Sequence, residues 1–181
     1  MDGNDEAAVV QAKRGDRDAF RQLVERHART VFRLSFRLTG NEEDAEDVVQ
    51  ETFLKAYRAL GSFDERAQFG SWLYRIASNC ALDLLRSRKR RKTVGGPPDE
   101  VFETLPSPGV SPEDSALGSE LGRRMSAAMA RLSDSERTAL ALRHFEGRPV
   151  AEIAAALRIS DGAARNCIFR AVAKLRQELG T

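Results

Sequence analysis

A single segment rich in proline and glycine most constrains how this chain can fold. Residues 93–119 contain five of the six prolines in the 181-residue chain, together with five acidic side chains and no basic one. Proline and glycine interrupt helices, and such a composition cannot build a large core. We therefore predict a flexible acidic linker at 93–119 that joins two domains, at 1–92 and 120–181.

Both flanking segments show the 3.6-residue apolar periodicity of amphipathic helices, without strand-like alternation of useful length. In the first half, this periodicity predicts helices that end at Gly40 and Gly61 and a third helix that starts at Phe69. In the second half, it predicts helices over 149–157 and 161–179. The predicted fold class is therefore all-α, with two small helical domains.

Composition excludes several classes of protein. The longest uninterrupted apolar run is five residues, 153–157, whereas a membrane-spanning helix needs about 20. The acidic N-terminus lacks the apolar segment of a signal peptide, which favours the cytoplasm. Isolated Cys80, Cys167, His27 and His144 argue against a disulfide framework or a metal site. No phosphate-binding, dinucleotide or nucleophile motif occurs, so we expect neither an enzyme nor a cofactor.

The net charge of +2 conceals an uneven distribution. Residues 1–92 carry 18 basic and 15 acidic side chains, and residues 120–181 carry 11 basic and 7 acidic ones. The acidic linker separates these two basic parts. This arrangement favours two contacts with a polyanion such as nucleic acid, although mild positive charge is also common on proteins that bind none.

The most specific local pattern is a predicted helix-turn-helix over residues 150–176. A helix over 150–157 precedes a three-residue turn and a second helix, and Ala154 is small where the two helices must approach closely. Four side chains are predicted near the exposed face of the second helix: Arg165, Asn166, Phe169 and Arg170. Arginine can pair with guanine and asparagine with adenine. The alternative is an ordinary helical hairpin with a solvated basic face.

Aromatic and basic side chains share the helix that starts at Phe69. Phe63, Phe69, Trp72 and Tyr74 cluster near its beginning, and six bases occupy seven residues at 86–92. Aromatic stacking combined with a basic track is typical of proteins that bind single-stranded nucleic acid. The aromatic residues alone could instead form core, and the basic run alone could be a solvated helix end.

Acidic residues dominate the start of the preceding helix. Six acids and no base occur between residues 42 and 51. Acids near a helix N-terminus complement its dipole, but that does not explain why they continue to Glu51. Because an acidic patch repels DNA, it is better suited to a basic protein surface.

Three segments together carry a family resemblance. Residues 44–57 (DAEDVVQETFLKAY), 69–79 (FGSWLYRIASN) and 150–176 are similar, in order and spacing, to three conserved parts of one family. The chain resembles the extracytoplasmic-function (ECF) sigma factors of bacterial RNA polymerase. The resemblance implies a cytoplasmic transcription initiation factor that binds core RNA polymerase, directs it to promoters and assists promoter melting.

The resemblance also implies a role for individual residues. For core polymerase binding they are Asp44, Glu46, Asp47, Gln50 and Glu51. For the minus-ten element they are Asp64, Arg66, Phe69, Arg75, Asn79 and Arg86. For the minus-thirty-five element they are Arg165, Asn166, Phe169 and Arg170. The loop 62–68 would hold a base flipped from the non-template strand, while Trp72 would support that surface from the core. The partners would be core polymerase, duplex and single-stranded promoter DNA, and an anti-sigma factor.

Some residues of the second helix depart from the family pattern. Ala163 and Ala164 replace common Thr and Val, Asn166 replaces Ser, and Cys167 and Val172 replace Arg. These changes reduce phosphate contacts and can alter base preference. A stand-alone helix-turn-helix regulator is the competing hypothesis, but such a protein needs neither the acidic helix nor the aromatic-basic helix.

Overall fold

A computed structural model describes residues 3–93 and 122–180, and all regular structure in these residues is helical. The first half contains α1 (Gly3–Lys13), α2 (Arg17–Thr39), α3 (Glu42–Ala59), a 3₁₀ turn (Leu60–Ser62) and α4 (Phe69–Thr93). The second contains α5 (residues 122–130), α6 (Asp134–Leu140), a π-helical turn (Ala141–Phe145), α7 (Val150–Leu157) and α8 (Asp161–Leu179). The all-α prediction is confirmed. The predicted linker lies outside the described residues, apart from Thr93.

The turn between α2 and α3 follows directly from two residues. Gly40 ends α2 in the left-handed conformation, with φ 71°, which glycine adopts without steric cost. Asn41 then caps α3, because its side-chain oxygen accepts a hydrogen bond of 2.9 Å from the backbone N–H of Asp44. The chain therefore reverses within two residues, and α2 and α3 pack side by side.

The first half is a bundle in which α2, α3 and α4 pack against one another and α1 packs on α2. Its largest fully buried side chains are Leu23, Val31, Leu34, Leu38, Val48 and Leu73. Each such burial stabilises the fold by about 1.5–3 kcal/mol. The apolar stripes predicted from sequence thus form the core, and the opposite helix faces remain available for binding.

A capping box fixes the start of α6. The Ser133 hydroxyl accepts a hydrogen bond from the backbone N–H of Glu136, whose carboxylate accepts one from the N–H of Ser133. Lys174 of α8 lies 2.7 Å from the same carboxylate. Burial by itself would raise the pKa of Glu136, but hydrogen bonds from Lys174 and Ser133 outweigh it and lower that pKa. The capping residue therefore also ties α6 to α8.

The helix-turn-helix forms over the predicted residues. Arg158 ends α7 with φ 57°, and its N–H donates to the carbonyls of Ala154 and Ala155. Ser160 caps α8 by accepting a hydrogen bond from the N–H of Ala163. Ala154 and Ala164 are buried, so small side chains allow the close approach of α7 and α8 that the motif requires.

We predict that Ser133→Ala lowers the free energy of unfolding by about 1 kcal/mol, because it removes the side-chain acceptor for the N-terminal turn of α6. Urea denaturation monitored by circular dichroism measures this loss. Ser135→Ala, two residues further into the same helix, is the control and should change the unfolding free energy by at most a few tenths of a kcal/mol. Equal effects of the two substitutions would contradict the capping role.

Candidate functional site

The second helix of the helix-turn-helix presents one continuous exposed strip. Arg165, Asn166, Phe169 and Arg170 of α8 are all exposed, and their spacing of one, three and one residues places them on the same helix face. Phe169 is the most open large apolar side chain, at 74% exposure. Two cations, an amide and an uncovered ring on one face form a surface that can contact base edges and thymine methyl groups.

The opposite side of α8 packs against the rest of the second half. Ala164 and Ala171 are fully buried there, and Cys167 is partly buried. Burial raises the pKa of the Cys167 thiol. Lys174, further along α8, pairs with Glu136 at 2.7 Å. The departures Ala164 and Cys167 thus serve packing, whereas Asn166 lies on the exposed strip.

The loop between the 3₁₀ turn and α4 rests on an aromatic cluster. The ring centroid of Phe63 lies 5.7 Å from that of Phe69 and 4.9 Å from that of Trp72, and the Phe69 and Trp72 centroids are 5.6 Å apart. Phe63 and Phe69 are buried, and Trp72 is partly buried. Phe69, which the family resemblance assigns to the minus-ten element, is therefore buried beneath the loop in this cluster.

Two charged side chains stand at the tip of this loop. The Arg66 guanidinium donates to both carboxylate oxygens of Asp64, through Nε at 3.0 Å and Nη2 at 2.9 Å. The backbone N–H of Arg66 also donates to the Asp64 carboxylate, at 3.0 Å. These hydrogen bonds, the side-chain one foremost, lower the pKa of Asp64 to about 2. Both residues are exposed, so the tip offers a charged, hydrogen-bonding surface to solvent.

The outer face of α4 continues from the loop tip. Arg75 and Arg86 are exposed and Asn79 is partly exposed, and their spacing of four and seven residues keeps them on one side of the helix. The Asn79 amide donates to the carbonyl of Arg75 at 2.8 Å, and Arg86 lies 3.6 Å from Asp83. Arg90, which is exposed and lies four residues beyond Arg86, continues this positive face.

Acidic residues of α3 form a second strip with the same spacing as that on α8. Glu46, Asp47, Gln50 and Glu51 are exposed on one face. Asp44 differs, because it is only 3% exposed and its carboxylate lies 2.6 Å from the Arg88 guanidinium of α4. Asp44 therefore connects α3 to α4, while the other four residues face solvent.

Beside this acidic strip lies an open groove of about 450 Å³ between α3 and α4. Three acids and several apolar groups line it together with one lysine, Lys55, which lies 3.2 Å from Glu51. The acids and the main apolar groups are Asp47, Glu51, Asp83, Leu54, Cys80 and Leu84. Leu54 is an exposed large apolar side chain, and Cys80 is buried at the base of the groove, where burial raises the pKa of its thiol. A basic amphipathic surface would complement such a groove.

The two halves are docked against each other in the structure, which the sequence did not predict. Helix α7 packs on α4, and one cluster of buried apolar residues runs through both halves. Arg37 of α2 lies 3.2 Å from the Glu146 carboxylate, and the Arg148 guanidinium donates to the Ser71 hydroxyl at 2.6 Å. These contacts join residues that are far apart in the chain.

Arg137 makes the most buried of these contacts. Its guanidinium donates to the backbone carbonyls of Met129 and Leu132 in its own half and to the carbonyl of Leu38 in the first half, at 2.7 Å. Arg137 is only 7% exposed, and burial lowers the pKa of its guanidinium. The three carbonyls compensate for the cost of burying the charge.

An open groove of about 270 Å³ lies between the docked halves at the start of α4. Gln68, Trp72 and Arg75 line it from the first half, and Glu152 and Ala155 of α7 line it from the second. Arg75, a predicted minus-ten contact, therefore lies beside the helix-turn-helix in this arrangement.

No helix within residues 3–93 and 122–180 is long and apolar enough to cross a membrane. Over the same residues, no group of three or more His, Cys, Asp or Glu side chains is arranged to hold a metal ion.

Comparison with known proteins decides whether the chain is an ECF sigma factor or a stand-alone helix-turn-helix regulator. The sequence model of Sigma-70 region 2 matches residues 23–91, and that of Sigma-70 region 4 matches residues 128–177. The ECF RNA polymerase sigma factor SigW of Bacillus subtilis is 32% identical over 176 residues, covering 94% of both chains. The chain belongs to the ECF sigma factors. This ECF sigma factor is a transcription initiation factor, and the match of its first half to region 2 argues against a stand-alone regulator.

Other relatives agree with this assignment. The RNA polymerase sigma-H factor of Pseudomonas aeruginosa is 38% identical over 177 residues, which cover 92% of this chain and 89% of the relative. Among solved structures, CnrH in complex with the cytosolic domain of CnrY is 31% identical, with a TM-score of 0.70 over 98% of this chain and 97% of that chain. The resemblance inferred from residues is therefore confirmed, whereas the roles of individual residues remain predictions.

We predict that Arg137→Leu destabilises the protein by about 1–3 kcal/mol, because it leaves buried carbonyls without a donor. Arg131→Leu is the matched control, since Arg131 is exposed and pairs with Glu178 at the surface, where an ion pair contributes about 0–1 kcal/mol. Denaturant unfolding of the two variants measures the difference. Similar losses for both would contradict the central packing role of Arg137.

Proposed function

We propose that this ECF sigma factor divides promoter recognition and polymerase binding among three surfaces. The exposed strip of α8 reads the minus-thirty-five element, the loop tip and outer face of α4 bind the minus-ten element, and the acidic strip of α3 binds core polymerase. The observation that carries the proposal is the segregation of charge, because the strips for DNA are basic and the third is acidic. Two domains, at 1–92 and 120–181, carry these surfaces.

The minus-thirty-five element is proposed to bind in the major groove against α8. Arg165 and Asn166 lie closest to the N-terminus of this helix, where helix-turn-helix proteins contact base edges. Arginine suits guanine and asparagine suits adenine, and the open ring of Phe169 suits a thymine methyl group. Arg170 continues the strip toward the phosphates.

The minus-ten element is proposed to bind as an unpaired non-template strand along the loop and α4. Asp64 and Arg66 would hold a flipped base at the loop tip through hydrogen bonds to its edge, while Arg75, Asn79 and Arg86 follow the strand along the helix. Phe69 and Trp72 support this surface through the aromatic cluster. The energy for base unstacking comes from these contacts, and bond-making chemistry belongs to the polymerase.

Core polymerase is proposed to contact Glu46, Asp47, Gln50 and Glu51. Complementary charge accelerates association and fixes the register of two protein surfaces. Asp44 contributes indirectly, because its contact with Arg88 orients α3 relative to α4. The adjoining groove with Leu54 adds apolar area beside the acids.

An anti-sigma factor is the proposed regulatory partner, and the cytoplasm is the proposed location. CnrH, a structural relative at 31% identity, has been solved in complex with the cytosolic domain of CnrY, which supports a protein partner for this chain. No cofactor or metal is part of the proposal.

The docked arrangement must open for both promoter elements to be bound at once. Helix α7 rests directly on α4, whereas sites one or two turns apart on B-DNA are separated by about 35–70 Å. The 27 residues at 93–119 could reach at most about 90 Å if fully extended. The linker is therefore long enough to allow the separation that promoter binding requires.

We predict that Arg165→Ala weakens promoter binding by the holoenzyme by about 1–3 kcal/mol and relaxes specificity at one base of the minus-thirty-five element. Competition binding with a set of single-base promoter variants measures both effects. Arg176→Ala, an exposed cation further along α8, should weaken binding equally for all sequences. Uniform weakening by Arg165→Ala as well would show that Arg165 contacts phosphate and would contradict base readout.

Replacing Asp47 and Glu51 together by lysine should abolish association with core polymerase, because like charges would then face the basic partner surface. Co-purification or fluorescence anisotropy with core enzyme measures this association. The double substitution of Glu25 and Glu178 by lysine makes the same change in net charge on other exposed positions and should leave association intact. Normal holoenzyme formation by the Asp47 and Glu51 variant would overturn the acidic-strip proposal.

A further inference from the structure

Helix α1 lies outside the part of the chain that matches a sigma region. It covers Gly3–Lys13, whereas the region 2 match begins at residue 23. Ala8, Val9 and Ala12 of α1 are nevertheless buried against the first half. The helix also contacts the 3₁₀ turn and α4, so it packs beside the loop that joins them.

Lys13 connects the C-terminal end of α1 directly to this loop. Its ammonium group donates to the backbone carbonyl of Phe63 at 3.1 Å and lies 2.7 Å from the carboxylate of Glu65. The Lys13 side chain is 23% exposed, and its hydrogen bond to the Phe63 carbonyl is partly shielded from water, whereas the Glu65 carboxylate is exposed. The two contacts flank Asp64, so Lys13 holds the backbone on one side of the loop tip and a side chain on the other.

Asp5 connects the N-terminal part of α1 to the other side of the same loop. Its carboxylate accepts from Arg26 and lies 2.8 Å from Nε2 of His27. The His27 ring packs against Phe69, with centroids 5.5 Å apart, at the point where the loop ends and α4 begins. Helix α1 thus braces both ends of the loop, through a direct contact at Phe63 and an indirect one at Phe69.

Hydrogen bonds within the loop 62–68 fix its shape, but a contact with another element is needed to fix its orientation relative to the helical bundle. The N–H of Ala67 donates to the carbonyl of Asp64, and Arg66 donates to the Asp64 side chain. These bonds keep the tip folded on itself, but they do not determine how the tip sits on the bundle. The hydrogen bond from Lys13 to the Phe63 carbonyl ties the loop to α1 and so constrains that orientation.

We propose that Lys13 is a positioning residue that sets the base selectivity of the loop 62–68 by fixing the backbone around Asp64. The inference rests on the proposed function of this loop in holding a flipped base. A loop ordered before binding loses less conformational entropy when the base enters, and it presents its hydrogen-bonding groups in one geometry. Replacing Lys13 should therefore reduce the difference in affinity between preferred and other bases more than it reduces the overall affinity for DNA.

The test uses the full chain assembled with core polymerase and a fluorescent forked promoter fragment with an unpaired minus-ten strand. Each position of that strand is varied through all four bases, and equilibrium binding is measured for the wild type, Lys13→Met and Lys13→Arg. Arg14→Met is the matched control, because the neighbouring Arg14 is exposed and its loss makes the same change in charge. Thermal unfolding of each variant verifies that the fold is retained.

Lys13→Met should reduce the preference for the best base at one minus-ten position by about tenfold, comparable to the loss of one hydrogen bond to a charged group. Lys13→Arg should restore most of that preference, and minus-thirty-five selectivity and holoenzyme affinity should remain unchanged. Equal weakening for all bases, matching that of Arg14→Met, would show a purely electrostatic effect and overturn the proposal.

Hydrogen exchange of the loop amides separates this proposal from the proposed function of the loop. Lys13→Met should accelerate exchange at residues 63–67, whereas Arg14→Met should not. Unchanged exchange in Lys13→Met would overturn the positioning role whatever the DNA result. A second outcome would be faster exchange in Lys13→Met together with no base preference of the wild-type protein along the unpaired strand. That result would overturn base capture by the loop, but it would support the role of Lys13 in holding the loop in place.

Discussion

One buried guanidinium holds together the ends of two helices from opposite halves of this sigma factor. The last carbonyls of a helix have no partner within it, and a cation placed there also complements the helix dipole. Arg137 donates to Leu38 in the last turn of α2 and to Met129 and Leu132 at the end of α5. Because the side chain is nearly inaccessible, water cannot replace these hydrogen bonds while the halves are docked. Around this contact, the packing of α7 on α4 and the pair of Arg37 with Glu146 define the interface.

The same packing leaves the binding strips on the outside. The strip on α8 and the strip on α3 each consist of four exposed residues with the same spacing, at 165, 166, 169 and 170 and at 46, 47, 50 and 51. This spacing keeps the four side chains on one helix face. Their opposite faces provide core contacts such as Ala164 and Val48. Each helix thus packs through one face and exposes the other, and the charge of the exposed faces is the basis for proposing that one binds DNA and the other a protein. Separating the halves exposes the start of α4 without altering either strip.

Local features were predictable from sequence, and contacts between distant residues were not. Gly40 and Phe69 mark helix ends through short-range chemistry, and the structure confirms both. The helix-turn-helix was predictable because its turn length and small residues are local constraints. By contrast, Arg137 and Leu38 are 99 residues apart, and Arg37 and Glu146 are 109 apart. No periodicity within one helix indicates such pairs. Likewise, the acidic composition of residues 42–51 could not show that Asp44 is buried against Arg88 while Glu46 is exposed, because that difference depends on the packing of α4.

We propose that the halves dock through the Arg137 interface and separate when both promoter elements are bound. Pulsed electron-spin resonance between labels on Gln22→Cys and Ala130→Cys, two exposed positions outside the proposed binding surfaces, with Cys80 and Cys167 replaced, measures the distance between the halves. We expect one short distance in the free protein and a markedly longer one in a transcribing complex with core polymerase and promoter DNA. A distance that stays unchanged in an active complex would contradict this proposal.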